Sequence, residues 1–80
     1  MDVPEFVRLE REKRGWTQKV LAARTGVSVS AINRIERERH PVVSLVTAMR
    51  LGQGFQIDVK DLLIVLVGDY RGKKGGWDGR

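Results

Sequence analysis

Apolar residues recur at intervals of three and four along most of this 80-residue chain, in stretches that glycine or proline separates. This spacing is typical of the buried side of an α-helix. Before each stretch stands a residue whose side chain can accept hydrogen bonds from free backbone N–H groups. The pattern therefore predicts five helices, over about residues 3–14, 18–25, 29–37, 45–51 and 59–67. Their expected caps are Asp2, Thr17, Ser28, Ser44 and Asp58.

The same pattern predicts which side of a helix faces the core. Gly52-Gln53-Gly54 is expected to end the fourth helix, which leaves Phe55 and Ile57 as core residues of a connecting loop. The pattern thus predicts an all-α domain over residues 1–67 and a flexible, glycine-rich, basic tail over 68–80. The predicted core-facing residues of the first, fourth and fifth helices are Phe6, Val7, Leu9, Leu45, Ala48, Met49, Leu62, Leu63 and Leu66.

The second and third predicted helices are separated by only three residues and share one pattern. Ala22 is small enough for a close helix crossing, and Gly26 suits a left-handed turn between the two helices. Ile32 and Ile35 then lie on the inner side of the third helix. Residues of these types at these intervals are typical of a helix-turn-helix, whose second helix can enter a DNA major groove. A helical hairpin of another small all-α protein is the alternative.

The charge of the chain is concentrated around this pattern. The net charge is +5, and residues 8–50 carry ten Lys or Arg against four Glu. Such a cluster favours a polyanionic ligand, although a solvated basic surface would have the same composition.

The outer side of the third helix is suited to reading bases. Arg34 can bond both acceptors of guanine and Asn33 can bond adenine, whereas Ser30 can bond either base. Val29 can contact a thymine methyl group. We therefore expect base contacts from Val29, Ser30, Asn33 and Arg34.

Phosphate contacts are expected on both sides of that helix. Gln18 opens the second helix, where its amide and the free backbone N–H groups can meet a phosphate oxygen. Glu36 would repel DNA unless it is neutralised, and Arg11 on the first helix is the residue expected to pair with it. The expected phosphate contacts are Gln18, Lys19, Arg14, Arg37 and Arg39.

Residues 6–63 resemble the DNA-binding domain of the Cro/CI-type phage repressor family, which is also called the xenobiotic-response-element type. The resemblance implies a compact five-helix bundle of the lambda-repressor-like type with a central helix-turn-helix. It also implies that Gln18 contacts DNA, that the first residues of the third helix read bases, and that Arg11 and Glu36 form a bridge. Glu10, Val20 and Glu38 depart from the residue types common in that family. The resemblance is carried by Arg11, Gly15-Trp16-Thr17-Gln18, Leu21-Ala22, Gly26-Val27-Ser28, Ile32 and Ile35-Glu36-Arg37.

The fifth predicted helix is apolar on every side, so a small bundle cannot bury all of it. An exposed apolar patch usually marks an interface. We expect a homodimer that contacts through Ile64, Val65 and Val67. A missing part of a longer chain, or the tail, would be the alternative cover.

The expected function is sequence-specific transcription regulation on a palindromic double-stranded DNA operator, by a phage or plasmid repressor or a Cro-like protein. An antitoxin-type autoregulator with a toxin or other protein partner, and a protein-interaction or coactivator module, are the alternatives. One His and no Cys, acid pair or phosphate loop argue against an enzyme, a metal site or a cofactor. The longest apolar run, 62–67, is too short to span a bilayer, and a cytoplasmic location is expected.

Overall fold

The computed structural model of the chain describes residues 2–58 and 60–65. Four helices cover most of them: α1, Val3–Lys13; α2, Gln18–Thr25; α3, Val29–Arg37; and α4, Leu45–Phe55. A fifth helical segment, α5, covers residues 60–65. The predicted all-α fold is confirmed, since the described part of the chain contains no strand. No helix in that part is long and apolar enough to cross a membrane.

Side-chain caps begin the helices, as the sequence predicts. Thr17 accepts a hydrogen bond from the backbone N–H of Val20, and Ser28 accepts one from Ala31, both at 3.1 Å. These bonds satisfy donors that the first turn of a helix leaves free. The same arrangement is found at Asp2, Ser44 and Asp58.

Helices α2 and α3 end in different backbone conformations. Gly26 follows α2 with φ at 77°, in the left-handed region that glycine adopts without strain, and its N–H donates to Ala22 at 2.9 Å. Glu38 ends α3 with φ at −76° and ψ at 147°, which is extended backbone. A residue with a side chain fits there, so the position needs no glycine.

The core lies between the four helices, each of which contributes buried residues. Helix α3 packs against both α1 and α2, and α2 packs against α4. Leu9, which the sequence pattern predicts inside, is 43% exposed, because Val3, Pro4 and Val7 form the buried side of α1. The largest buried side chains are Val7, Leu21, Ile32, Ile35, Leu51, Phe55 and Leu62.

Helix α4 is longer than predicted and turns a different side inward. It continues through Gly52 and Gly54 to Phe55. The lack of a side chain at Gly54 lets this end of α4 lie close to α2. A Cβ atom on Gly54 would collide with the Cγ2 atom of Thr25 on α2. The core side of α4 therefore consists of Ala48, Leu51, Gly52 and Phe55. Leu45 and Met49, predicted inside, are exposed.

Helix α5 also differs in part from the prediction. Leu62 is buried as predicted, but Leu63 lies at the surface and Val65 packs against the core. Ile64 is 68% exposed. Leu66, Val67 and the predicted tail lie outside the described residues, as does the predicted domain boundary.

Candidate nucleic-acid interface

Helix α3 presents one apolar side and one polar side. Ile32 and Ile35 are fully buried and fix the helix to the core. The residues predicted to read bases all lie on the solvent side, together with one of the predicted phosphate contacts. These exposed residues are Val29, Ser30, Asn33, Arg34 and Arg37.

Arg11 and Glu36 form a two-point ion pair beside this face. The Nε atom of Arg11 donates to Oε2 of Glu36 at 2.8 Å, and its Nη2 atom donates to Oε1 at 2.9 Å. The Glu36 side chain is only 6% exposed. The hydrogen bonds to Glu36 raise the pKa of Arg11 above its ordinary value, although burial acts against this. Arg11 also donates to the backbone oxygen of Trp16 at 2.9 Å, which ties α1 to the start of the helix-turn-helix.

Glu36 also contacts Gln18, and through it Asn33. The Nε2 atom of Gln18 donates to Oε1 of Glu36 at 3.3 Å, and the Nδ2 atom of Asn33 donates to Oε1 of Gln18 at 3.4 Å. These distances are long for hydrogen bonds, so the two contacts of Gln18 are weaker than the pair between Arg11 and Glu36. We call Arg11, Glu36, Gln18 and Asn33 the Glu36 network.

The network sets the direction of both amides. An ionised carboxylate only accepts hydrogen bonds, so the amide nitrogen of Gln18 faces Glu36 and its oxygen faces Asn33. Asn33 then keeps its Oδ1 atom and one N–H for another partner. One acceptor and one donor on the same amide are what adenine requires in the major groove.

Four exposed cations on α2, on α3 and just after α3 have no carboxylate partner among the described residues. Lys19, Arg34, Arg37 and Arg39 are exposed, and none of them forms an ion pair with any residue of 2–58 or 60–65. Their charge is therefore not neutralised by the described protein, and it is available to a polyanion.

Arg14 is not available in this way, contrary to the sequence prediction. Its Nη1 atom donates to the backbone oxygen and to Oε1 of Glu10, and its Nη2 atom donates to the backbone oxygen of Phe55 at 2.6 Å. The guanidinium also lies over the rings of Trp16 and Phe55. Arg14 thus joins α1 to the end of α4, and we remove it from the predicted phosphate contacts.

Glu10 stands where the resembling family usually has an apolar residue, and the contact with Arg14 explains it. Burial raises the pKa of Glu10, but hydrogen bonds from Arg14 and Lys13 outweigh this effect, so its pKa lies below the ordinary value. The charged pair lets Glu10 take a partly buried position.

The Trp16 ring contacts side chains of both α2 and α4. It stacks on Phe55 of α4, with centroids 6.1 Å apart, and the Arg24 guanidinium lies 4.6 Å from the indole centroid. Sequence reasoning missed this partner because it assigned Phe55 to a loop.

A solvent-facing α3, a left-handed turn at Gly26 and cations without an ion-pair partner in the described part of the chain are typical of a helix-turn-helix DNA-binding protein. A family model described as helix-turn-helix matches residues 7–62. The chain therefore belongs to the Cro/CI-type helix-turn-helix family and is a DNA-binding transcription regulator. Comparisons with curated proteins and with solved structures give no match.

Proposed function

We propose that this protein is a repressor or Cro-like regulator that binds a palindromic operator as a homodimer, with α3 in the major groove. The observation that carries the proposal is the exposed polar side of α3, on which the Glu36 network orients Asn33. Short side chains at Val29 and Ser30 leave room for close approach where α3 begins.

The proposed reading of bases divides between two kinds of residue. Arg34 is exposed and carries no carboxylate partner among the described residues, so two of its N–H groups can reach the two acceptors of guanine. Asn33 offers adenine one acceptor and one donor. Ser30 bonds either base, and Val29 contacts a thymine methyl group.

The proposed phosphate contacts lie at the ends of the two helices. Gln18 gives one amide N–H to Glu36 and keeps the other for a phosphate oxygen, next to the free backbone N–H groups of α2. Lys19, Arg37 and Arg39 add charge on either side. Contacts of this kind position α3 but carry no sequence information.

A palindromic operator requires two copies of α3 about one DNA turn apart, ~34 Å. The sequence places the interface of such a homodimer on α5. Ile64 fits this expectation because it is exposed, whereas Val65 packs against the core and Val67 lies outside the described residues.

Selection from random DNA, followed by footprinting on the selected sequence, tests this function. We expect two half-sites whose centres lie about ten base pairs apart. Arg34→Ala should lower affinity by about 1–3 kcal/mol and relax the preference at one base pair. Arg34→Lys is the matched control, since it keeps the charge but loses the two-point geometry. If Arg34→Lys retains full affinity and preference, Arg34 is a phosphate contact.

Salt dependence tests the electrostatic part of the proposal. With about 4–8 phosphates neutralised per dimer, a plot of log K against log salt should have a slope of about −4 to −7. A slope near zero would remove DNA as the ligand of this surface.

A protein-interaction module of the same fold is the second candidate, and the exposed apolar side of α4 is the observation that favours it. This candidate predicts weak DNA binding without sequence preference. The same selection experiment would then return no consensus.

A further inference from the structure

Four exposed large apolar residues lie on α4 and just before it. Val42 is 85% exposed, Leu45 63%, Val46 58% and Met49 43%. Leu45, Val46 and Met49 share one side of the helix, because they are separated by one, three and four positions. We call these four residues the α4 outer face. A cluster of exposed apolar residues is typical of an interaction site.

No described part of the core needs this face. The opposite side of α4 already contributes Ala48, Leu51 and Phe55, each about 1% exposed. Gly54 holds that side close to α2. The outer face is therefore a second apolar side of the same helix, and residues 2–58 and 60–65 leave it exposed.

We propose that the partner is a second copy of this chain, and that two α4 outer faces pair across a two-fold axis. Charge supports this occupant. The chain has a net charge of +5, and residues 40–49 are its longest run without Lys, Arg, Asp or Glu. Two copies of a basic protein repel each other at most of their surfaces. They can meet without repulsion where both surfaces are apolar and uncharged.

Symmetry adds to the charge argument. A two-fold interface brings the same patch of both copies together, so the patch must be complementary to itself. Leu45, Val46 and Met49 can pack against their own copies, whereas a patch of Arg could not.

The α4 outer face and the DNA-reading side of α3 use different residues. Seven residues separate the two helices, and α4 packs against α2 on its core side. Pairing through α4 would therefore not use Asn33 or Arg34 as contact residues. This inference rests on the proposed homodimer but replaces α5 with α4 as its main interface, and its test needs no DNA.

Cysteine cross-linking of the full 80-residue chain tests the pairing directly. The chain has no cysteine of its own, so a single introduced thiol reports one position. We expect V46C to form a covalent dimer under mild oxidation at least about tenfold faster than Q53C. Gln53 is the matched control, because it is an exposed residue of the same helix outside the apolar set. Equal rates for the two variants would overturn the proposal.

Sedimentation equilibrium gives the second measurement. We expect the unmodified chain to dimerise as its concentration rises. Val46→Asp should raise the dimer dissociation constant at least tenfold, which corresponds to about 1.4 kcal/mol. Gln53→Asp carries the same change of charge and should leave that constant unchanged. Circular dichroism checks that each variant is folded, and Val46→Ser replaces Val46→Asp if the aspartate variant is not.

A substitution on α5 distinguishes an α4 interface from an α5 interface. Ile64→Asp should leave the dimer dissociation constant within about threefold of the original, since we assign Ile64 no contact in the pair. A dimer that Ile64→Asp disrupts and Val46→Asp does not would overturn the proposal in favour of α5. A chain that stays monomeric at all concentrations would show that something other than a second copy covers α4. Failure of the DNA selection would not alter any of these results.

Discussion

The contact between α1 and α3 and the contact between α2 and α4 are made of opposite kinds of residue. The first joins long, charged side chains, since Arg11 on α1 meets the nearly buried carboxylate of Glu36 on α3. The second joins the smallest residues, since Gly54 on α4 lies against Thr25 on α2. Directional hydrogen bonds fix the position of α3, whereas close approach fixes the position of α4.

The difference shows how one small domain can serve two purposes. A charged pair holds a helix at one angle and turns polar groups such as Asn33 to the outside. The contact at Gly54 involves only one side of α4. Leu45 and Met49, on another side, can therefore stay exposed. Each contact can be broken by a single substitution with its own rescue.

Loss of Arg11 should have the largest effect. Arg11→Ala leaves Glu36 buried and unpaired, so we expect a loss of about 3 kcal/mol in the free energy of unfolding and weaker DNA binding. Denaturant unfolding and operator titration measure the two effects. Adding Glu36→Gln should recover part of both. Arg8→Ala on the exposed side of α1 is the control and should change stability by no more than about 0.5 kcal/mol. A double-mutant cycle without coupling energy would contradict the pair.

Gly54→Ala should have the next largest effect on stability. It should destabilise the protein, although replacing glycine by alanine usually stabilises a helix. Alanine is the better helix former, but its Cβ would collide with the Cγ2 atom of Thr25. That methyl group cannot turn away, because the Thr25 hydroxyl donates to Leu21 at 2.8 Å and accepts from Val27 at 3.1 Å. We expect a loss of about 1–3 kcal/mol by denaturant unfolding.

Two further variants make the glycine test specific. Thr25→Ser keeps the hydroxyl and removes the methyl group, so Gly54→Ala should cost much less in that background. Gln53→Ala, at an exposed position of the same helix, should not destabilise the protein. If Gly54→Ala proves stabilising in both backgrounds, α4 does not lie as close to α2 as the structure has it.

The contact between Gln18 and Asn33 should have a smaller effect than either of these substitutions, and it should appear in operator affinity. If Gln18 orients Asn33, the effects of Gln18→Ala and Asn33→Ala on operator affinity should fail to add by about 1 kcal/mol. The same cycle on DNA without the operator should show additive effects, because phosphate contacts carry no base preference. Additivity on the operator itself would mean that the two amides act independently.

Met49→Gln should have the smallest effect on stability. Met49 is 43% exposed, so we expect a change within about 0.5 kcal/mol at low protein concentration. Leu51→Ala, two positions further along the buried side, should cost about 2–5 kcal/mol. A large loss of stability for Met49→Gln would mean that Met49 faces the core, as the sequence pattern predicts.

The elements that the sequence predicted best are those that local chemistry decides. Ser28 and Gly26 fix the start of α3 and the turn before it through bonds to residues at most four positions away. Helix α4 was predicted less well, because the usual rules end a helix at glycine and turn the larger apolar residues inward. At Gly54 the contact with Thr25, 29 positions earlier, overrides those rules. The apolar periodicity of α4 gives no indication of this contact.

The candidate site divides in the same way. Residue type and helical spacing were enough to place Asn33 and Arg34 on the outer side of α3. The contact between Gln18 and Asn33 depends on how α2 crosses α3, and nothing in the sequence indicates it. Arg14 was assigned to DNA on its charge alone, whereas its partners Glu10 and Phe55 become visible only once α1 and α4 are in place.

Arg14 also has a consequence for how the protein opens. One guanidinium binds the backbone oxygen of Glu10, near the end of α1, and that of Phe55, the last residue of α4. Separate helix ends normally fray one at a time and exchange their amide hydrogens with solvent independently. Here one side chain bonds to the last turn of both α1 and α4, so loosening of one turn weakens the other. We expect the two turns to exchange amide hydrogens as one cooperative unit, and Arg14→Ala to separate them.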